Sequence, residues 1–440
     1  MQGSTSGLPK VMDVAAASRP LKIAVVYSRI PLPMRHADQL TVAHLLSFLK
    51  ARGHAVDLYT IEAGGQAEKA HHDWLEAHCR RVKLYPHSKA HIARGMAKLL
   101  QGAPVQVGLF SHADQIADLR QAAREEDYDI IYTYYFRSAE ATRGLNQVVN
   151  AKGKRNTTFL ALQLSQALNT ERIAANAPNL ALKLFYQMES RLVADYESRI
   201  WRDFTKSVLI GPKDVEAITK VCQRLGRPPI SNWVYGAHGT DVQRFGPRQD
   251  VVPREDHLVF SGVMRTPTNV QAVQWFARHV WPQVKAARPG VTLDIVGREP
   301  SGEVRELERL EGVRVTGSVP DTAVNIAEAA VCINPMQAGG GMQNKLLEYL
   351  GCAKAVVATS VANEGIGGVS GRHLIVADSP SDFANAVISL LESPDHREGL
   401  GKAGREFVLE NWTWESHFLK LEADFYRAID GQTPADRVEA

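Results

Sequence analysis

Short aliphatic runs alternate with helical stretches along most of this chain, and the alternation stops once and then restarts. Leu21–Tyr27, Val56–Thr60, Arg81–Tyr85, Ile130–Tyr134, Thr158–Leu162 and Ser207–Ile210 read as strands. Between them Leu40–Arg52 (closed by Gly53), Ile116–Arg124 and a long polar-striped run over 178–203 read as helices. Asn232–Arg254, rich in glycine and proline, reads as a linker. The pattern then resumes with strands at Leu258–Ser261, Thr292–Val296 and Val313–Thr316 and helices over 269–287 and 322–329. Strands that are apolar throughout are covered on both faces, and strand–helix alternation builds parallel sheets. Two such patterns predict two doubly wound α/β domains, and 440 residues suffice for a core in each.

The segment 331–366 is the most specific text. A β-branched run, 331–333, enters Gly339-Gly340-Gly341, and a helical run over 342–350 leaves it. Leu346, Leu347 and Leu350 share one side of that helix, and Lys345 and Glu348 share another, which is expected to be exposed. Gly351 stops the helix, and Ala355-Val356-Val357-Ala358 reads as the next buried strand. A strand that delivers glycines to a helix N-terminus can cradle phosphate, because free amides point outward and the macrodipole favours an anion. Lys345 could then neutralise a phosphate charge, and Glu348 could accept hydrogen bonds from a ribose. An ordinary strand–turn–helix with glycines for close packing is the other reading of this spacing.

Composition narrows the classes. A net charge of +3 on this length does not indicate nucleic-acid binding. Cys79, Cys222, Cys332 and Cys352 have no paired spacing and read as buried thiols of a reducing compartment. No run is long enough to span a bilayer, and Met1–Pro20 reads as a flexible tail, so a cytoplasmic or peripheral protein is expected. No His/Cys cluster has metal spacing. Asp127-Tyr-Asp129 is a literal Asp-x-Asp, but it precedes a strand, whereas ligands sit at strand C-terminal ends in open α/β sheets. Gly399-x-Gly401-x-x-Gly404 matches a dinucleotide fingerprint but has no strand before it.

The 331–366 segment resembles the donor-nucleotide signature of family-4 retaining glycosyltransferases of GT-B fold. Glu348 falls on the second glutamate of that signature, which in the family binds the donor ribose, and Gly340 stands where the first glutamate would be. Glycine-rich text followed by Asn344-Lys345 is similar to a branch of exopolysaccharide-associated sugar transferases. Ala237-His-Gly239-Thr-Asp241 with Phe245, Phe260-Ser-Gly262 with Pro267-x-Asn269 and Trp275-Phe276, Val296-Gly297-Arg298, and Val315-Thr-Gly317-Ser-Val-Pro320-Asp321 resemble the family's donor domain. Trp412–Trp414 and the helix to Ile429 resemble its terminal helix, which crosses back to the first domain. Pro104–Phe110, Tyr128–Ile131 and Arg137 echo the exopolysaccharide branch.

The resemblance implies two Rossmann-like domains facing across a cleft: acceptor-binding over 21–235 and donor-binding over 236–405, with a returning helix over 406–429 and flexible tails at 1–20 and 430–440. It implies donor contacts at Gly262, Gly297, Arg298, Gly317, Ser318, Val319, Gly339, Gly341, Met342, Gln343, Asn344 and Glu348, and a role at the reacting diphosphate for Lys345, Arg265 and Gly340. The family's usual Arg and Lys after the first donor strand are missing, so Arg265, Arg298 and Lys345 are rival phosphate partners. Tyr134-Tyr135 stands where many relatives carry a histidine, and no side-chain base is assigned. In the mechanism inferred for the family the leaving phosphate takes the acceptor proton. Arg137, His36 and Asp38 are the expected acceptor contacts, although Asp38 could simply cap the following helix.

The activity expected is metal-independent, cofactor-free, retaining transfer of a sugar from a UDP- or GDP-sugar to a glycan or lipid-linked acceptor in surface polysaccharide synthesis. A non-catalytic nucleotide-sugar binder and a GT-B epimerase are the alternatives. From His78 to Ala113 there is no acidic residue, and Ile92, Met96, Leu99 and Leu100 follow helical spacing beside Lys89, Arg94 and Lys98. Such a basic amphipathic helix suits the anionic inner face of a membrane, a phosphorylated acceptor, or mere solvation.

Overall fold

The computed structural model describes residues 16–431 apart from 18, 35, 63–68, 176–179, 237–238 and 339–341. The chain divides into two compact units, one of residues 1–237 with 417–440 and the other of 238–416.

The first unit holds seven parallel strands: β1 (Lys22–Tyr27), β2 (Ala55–Glu62), β3 (Arg81–Pro86), β4 (Ile130–Tyr134), β5 (Thr158–Gln163), β6 (Lys206–Leu209) and β7 (Trp233–Tyr235). Their order is β3-β2-β1-β4-β5-β6-β7. Ile23 of β1 stands between Val56 and Ile130, so the chain reverses its direction of travel across the sheet between β1 and β4. β7 corrects the reading of Asn232–Arg254 as all linker. Three residues carry no periodicity, and pairing of Val234 with Val208 is what makes them a strand.

Helix Ala37–Ala51 buries Val42, Leu45, Leu46 and Leu49, the spacing of one helical face. Helix Leu180–Ile200 buries Val193, Ala194, Tyr196 and Ile200 near its end, but leaves Leu180, Leu182, Leu184, Phe185 and Met188 exposed. The C-terminal helix Trp414–Ile429 rejoins this unit from His417 onward. Phe418 packs on Phe48 with centroids 5.4 Å apart, and Phe425 meets Phe159 edge-on at 4.9 Å. Glu422 is buried, yet it receives Arg52 at 2.7 Å and His54 Nε2 at 2.6 Å, so its charge is compensated.

The second unit holds six parallel strands: β8 (His257–Ser261), β9 (Thr292–Val296), β10 (Val313–Gly317), β11 (Val331–Asn334), β12 (Ala355–Ala358) and β13 (Ile375–Val376). Their order, β10-β9-β8-β11-β12-β13, reverses between β8 and β11. The sequence reads 269–287 as one helix. The structure starts it at Pro267 and interrupts it with a π turn, Phe276–Val280, ahead of Pro282. Proline lacks the N–H that would continue the α ladder, and a widened turn absorbs the break.

Asp127 and Asp129 lie at the amino end of β4, where Lys22 Nζ holds Asp127 at 2.6 Å and the Lys22 amide donates to Asp129 at 2.9 Å. Gly399, Gly401 and Gly404 lie inside helix Pro394–Asn411. All four cysteines are buried and free. Among the described residues no helix is long and apolar enough to cross a membrane.

Candidate functional site

In an open α/β sheet the crevice at the carboxyl ends of the strands, where strand order reverses, is the place for a ligand. In the second unit that place lies beyond Ser261 of β8 and Asn334 of β11. Gly262 follows β8, and its amide donates to the Val296 carbonyl at 2.9 Å. The Gly297 amide donates to Gly317 at 3.1 Å, so the three strand-end loops are laced side by side. Gly297 has φ +147°, and a Cβ there would collide with the Gly262 carbonyl oxygen. Only glycine allows the two loops so close.

Helix Asn344–Gly351 packs over the same edge. Leu346, Leu347, Tyr349 and Leu350 are buried, and the Tyr349 hydroxyl accepts from the Ser261 amide at 2.6 Å. This bond ties the helix to the end of β8 and fixes where its remaining side chains reach. Lys345 Nζ donates to Asn269 Oδ1 at 2.7 Å and sits 4.0 Å from the centre of the Phe260 ring. Asn269 Nδ2 donates in turn to the Val263 carbonyl at 3.0 Å, so the amide that holds the lysine is itself held. Among the described residues Lys345 has no carboxylate within ion-pairing distance. Burial pushes its ammonium down to about 7, against the weaker upward pull of Glu348.

Lys345 and Glu348 are thus half-buried, which corrects the expectation of an exposed face. The helix lies against the sheet edge, and hydrophobic periodicity cannot register a neighbour brought in from another segment. The Glu348 carboxylate accepts no hydrogen bond from another described residue. Burial raises its pKa, while Arg244 and Lys345 draw it down. A cation and an acceptor, each held at the crevice without a full partner, can receive an anion and a hydroxyl.

The rival cations are placed differently. Arg265 is exposed and pairs with Glu299 at 2.7 Å. Arg298 is exposed, and its backbone carbonyl accepts from the Met264 amide at 2.9 Å. Neither contacts Lys345 or Glu348 among the described residues. Gly317 opens the loop after β10 with φ +69°, Ser318 is exposed, and Val319 packs on the core. Met342 also packs on the core, Gln343 precedes the helix as its N-cap residue, and Asn344 is exposed at the first position. Gly339, Gly340 and Gly341 lie outside the described residues.

Three residues of this edge escape a reading from sequence. Asn269 is visible there only as part of Pro267-x-Asn269, and its grip on Lys345 spans 76 positions. Arg244 reaches Glu348 electrostatically from the segment after residue 239. Asn334 is fully buried at the end of β11, and among the described residues neither its Nδ2 nor its Oδ1 has a hydrogen-bond partner. A buried, unsatisfied amide at a ligand-side edge is a polar group waiting for a partner.

The reversal point of the first unit is built from Tyr27, Ser28, Asp38 and Arg137. Tyr27 donates to Asp38 Oδ2 at 2.7 Å, Arg137 Nη2 pairs with the same oxygen, and Arg137 Nε donates to Ser28 Oγ at 2.7 Å. The guanidinium lies over Phe110 at 4.9 Å and over Tyr135 at 4.8 Å. The structure therefore brings Asp38 and Arg137 together. His36 is the exposed N-cap residue, and its side chain makes no capping bond. Asp38 is committed to Arg137 and Tyr27, which corrects its reading as a cap: the attraction of a part-buried cation exceeds that of a helix amide. Tyr135 (φ +77°) and Gln163 (φ +67°) end β4 and β5 in the left-handed region. Such strain costs of order 1–3 kcal/mol per residue and gathers at functional edges.

Several cations of the acid-free stretch are ion-paired among the described residues. Arg81 pairs with Glu126 at 2.8 Å, Lys83 with Asp118 at 3.0 Å, and Lys98 with Glu140 at 3.0 Å. Arg80 and Arg81 both bind the buried Asp57. The compensating carboxylates come from elsewhere in the chain, so a local count of acids overstates the free charge. The side chains of Arg94, Met96 and Leu100 lie outside the described residues.

Residues 255–393 match the model of the family "Glycosyl transferases group 1". That match lies within the second unit. An uncharacterized 44.6 kDa protein in the cps region of Klebsiella pneumoniae is 23% identical over 408 residues, 91% of this chain and 98% of that protein. A GDP-mannose-dependent monoacylated alpha-(1-6)-phosphatidylinositol monomannoside mannosyltransferase of Corynebacterium glutamicum is 33% identical over 149 residues, 30% of this chain and 38% of that one. The fold is also that of sucrose-phosphate synthase from Thermosynechococcus elongatus, with a TM-score of 0.61 at 18% identity, covering 93% of this chain and 100% of that one. HepE of Anabaena in complex with UDP gives 0.57 at 14% identity, covering 92% and 100%. Two parallel-stranded sheets with helices in one chain give it the GT-B fold of these structures.

Proposed function

We propose that the protein is a retaining glycosyltransferase that moves a sugar from a nucleoside diphosphate sugar to a hydroxyl of a glycan or lipid-linked glycan, in the synthesis of a surface polysaccharide. The observation that carries this reading is Lys345. It is held at the reversal point by Asn269 Oδ1 at 2.7 Å, half-buried and short of a carboxylate. A diphosphate would complete it. Glu348 would accept from the ribose hydroxyls, and Gly262, Gly297 and Gly317 would let the donor approach the backbone. HepE, in its complex with UDP, and the mannosyltransferase, by its dependence on GDP-mannose, support a uridine or guanosine diphosphate sugar as donor. The cps-region relative supports a polysaccharide product.

In this reaction the bond from the anomeric carbon to the diphosphate oxygen breaks, and the acceptor oxygen bonds to that carbon on the same face. The acceptor proton passes to the departing phosphate oxygen. Negative charge builds on the diphosphate, and a cation fixed beforehand stabilises it without reorganisation. Asp38 and Arg137 would orient the acceptor. Lys345 supplies the charge that a divalent ion supplies in other transferases, so excess chelator should leave release of free sugar from the donor unchanged. Activity abolished by chelator and restored by Mg²⁺ or Mn²⁺ would defeat the metal-independent reading.

A second surface supports membrane contact. Leu180, Leu184, Phe185 and Met188 are exposed beside exposed Lys183 and Arg191. The acid of this stretch, Glu189, is buried and accepts from the Val105 amide at 2.9 Å. An apolar helix end flanked by cations, with its acid withdrawn, fits an anionic lipid surface, where a lipid-linked acceptor would be found.

A further inference from the structure

The catalytic reading leaves one group of ring nitrogens unused. After β3 ends at Pro86 the chain runs through helix Lys89–Met96 and returns at His112 to begin helix Ala113–Glu125. This excursion brings His91 to His112 and Asp114. One ligand-capable atom from each of the three lies within 4.8 Å of the others. His91 Nε2 is 3.4 Å from the Asp114 carboxylate, and the two imidazoles stack with centroids 3.9 Å apart.

Hydrogen bonds fix which nitrogens are available. His112 Nε2 is 3.1 Å from the Pro86 carbonyl oxygen. A carbonyl only accepts, so Nε2 carries the proton and Nδ1 keeps its lone pair. His112 is 2% exposed, and its buried Nδ1 has no hydrogen-bond partner among the described residues. His91 Nδ1 is engaged by Ser88 Oγ at 2.7 Å, which leaves Nε2 for the cluster. His112 thus has one nitrogen oriented by an oxygen and the other turned to the cluster, the arrangement found behind metal-bound histidines, while His91 presents Nε2 to the Asp114 carboxylate.

The contrast with the other close group is informative. His257, Asp294 and Glu328 are equally near one another. There His257 Nδ1 is bonded to Thr292 Oγ1 at 2.9 Å and Asp294 is paired with Arg314, so the group is already satisfied.

We propose that His91 Nε2, His112 Nδ1 and the Asp114 carboxylate form a site for a divalent transition metal, with Zn²⁺ the ion that best fits two imidazoles and a carboxylate. At Zn–N distances near 2.0–2.1 Å tetrahedral ligands stand roughly 3.4 Å apart, so the side chains draw in by about 1 Å as the ion enters. The ion ties helix Lys89–Met96 to the start of helix Ala113–Glu125 and so closes the excursion onto the sheet. It is independent of the donor chemistry, since its ligands are all in the first unit.

The test uses the full chain, stripped with chelator and dialysed, then titrated with Zn²⁺ against a competing chelator dye. Absorption of the Co²⁺ form reports the ligand set. The expected result is one Zn²⁺ per chain. His91→Ala and His112→Ala should each weaken binding at least about a hundredfold, and Ser88→Ala about tenfold. His396→Ala, an exposed histidine of the second unit, should bind as the parent chain does. Should either histidine variant fail to fold by circular dichroism, Asp114→Asn replaces it, because that side chain is 71% exposed. A parent chain that takes up no stoichiometric Zn²⁺, or ligand variants that bind it unchanged, would overturn the proposal and leave the donor-site reading untouched.

Discussion

The titration of Lys345 makes the donor site testable without knowledge of the acceptor. The phosphates of a sugar nucleotide are diesters that stay ionised between pH 6 and 9, so the ligand does not titrate over that range. The lysine does. Burial holds its free-state pKa at about 7, and a bound diphosphate would raise it toward or beyond the ordinary lysine value of about 10.4. Binding then takes up a proton above pH 7, and affinity falls as pH rises, approaching tenfold per unit. At pH 8.5 roughly 3% of free Lys345 is protonated, so affinity should be about thirtyfold, or ~2 kcal/mol, below its acid plateau.

Among the described residues the charge acting on Lys345 is Glu348 on its own helix, which Arg244 from the preceding segment acts on in turn. Burial raises the Glu348 pKa, and a parallel titration of Glu348→Gln removes its contribution from the profile. Calorimetric titration of UDP- and GDP-sugars at intervals from pH 6 to 9 gives the profile directly. Lys345→Arg should flatten it, because guanidinium stays charged. Lys345→Ala should flatten it at an affinity lower by about 1.5–3 kcal/mol at pH 6. A parent chain whose affinity is level from pH 6 to 9 would refute both the placement of Lys345 at the phosphates and the reasoning from its burial.

Three further outcomes are expected. Glu348→Gln should weaken donor binding by about 1.5–3 kcal/mol while leaving the thermal midpoint equal or slightly higher, since it removes a half-buried charge; unchanged donor kinetics would count against its ribose role. Asp38→Asn should lower stability by about 1–3 kcal/mol by unpairing Arg137, and should abolish transfer to acceptor while slow donor hydrolysis persists, so parallel loss of both activities would remove this edge from the acceptor site. Leu184→Asp with Phe185→Asp should reduce sedimentation with anionic vesicles by at least about tenfold at little cost in stability, both side chains being exposed; a parent chain that ignores such vesicles at low salt would end the membrane reading.

The sequence by itself determined the class of fold. Apolar runs at β1, β4, β8 and β11 can be satisfied only by cover on both faces, and helical text between them forces parallel pairing. It also determined that helix Asn344–Gly351 leaves a strand end carrying Lys345 and Glu348, because that spacing is local. What lay between distant segments was illegible. The grip of Asn269 on Lys345, the burial that shifts its pKa, the commitment of Asp38 to Arg137, and the pairing of Lys83 and Lys98 with Asp118 and Glu140 each join residues dozens of positions apart. Periodicity reports how a segment presents its own side chains. The depth at which a side chain sits, and the charge it meets there, depend on which other segment packs against it, and only the tertiary structure decides that.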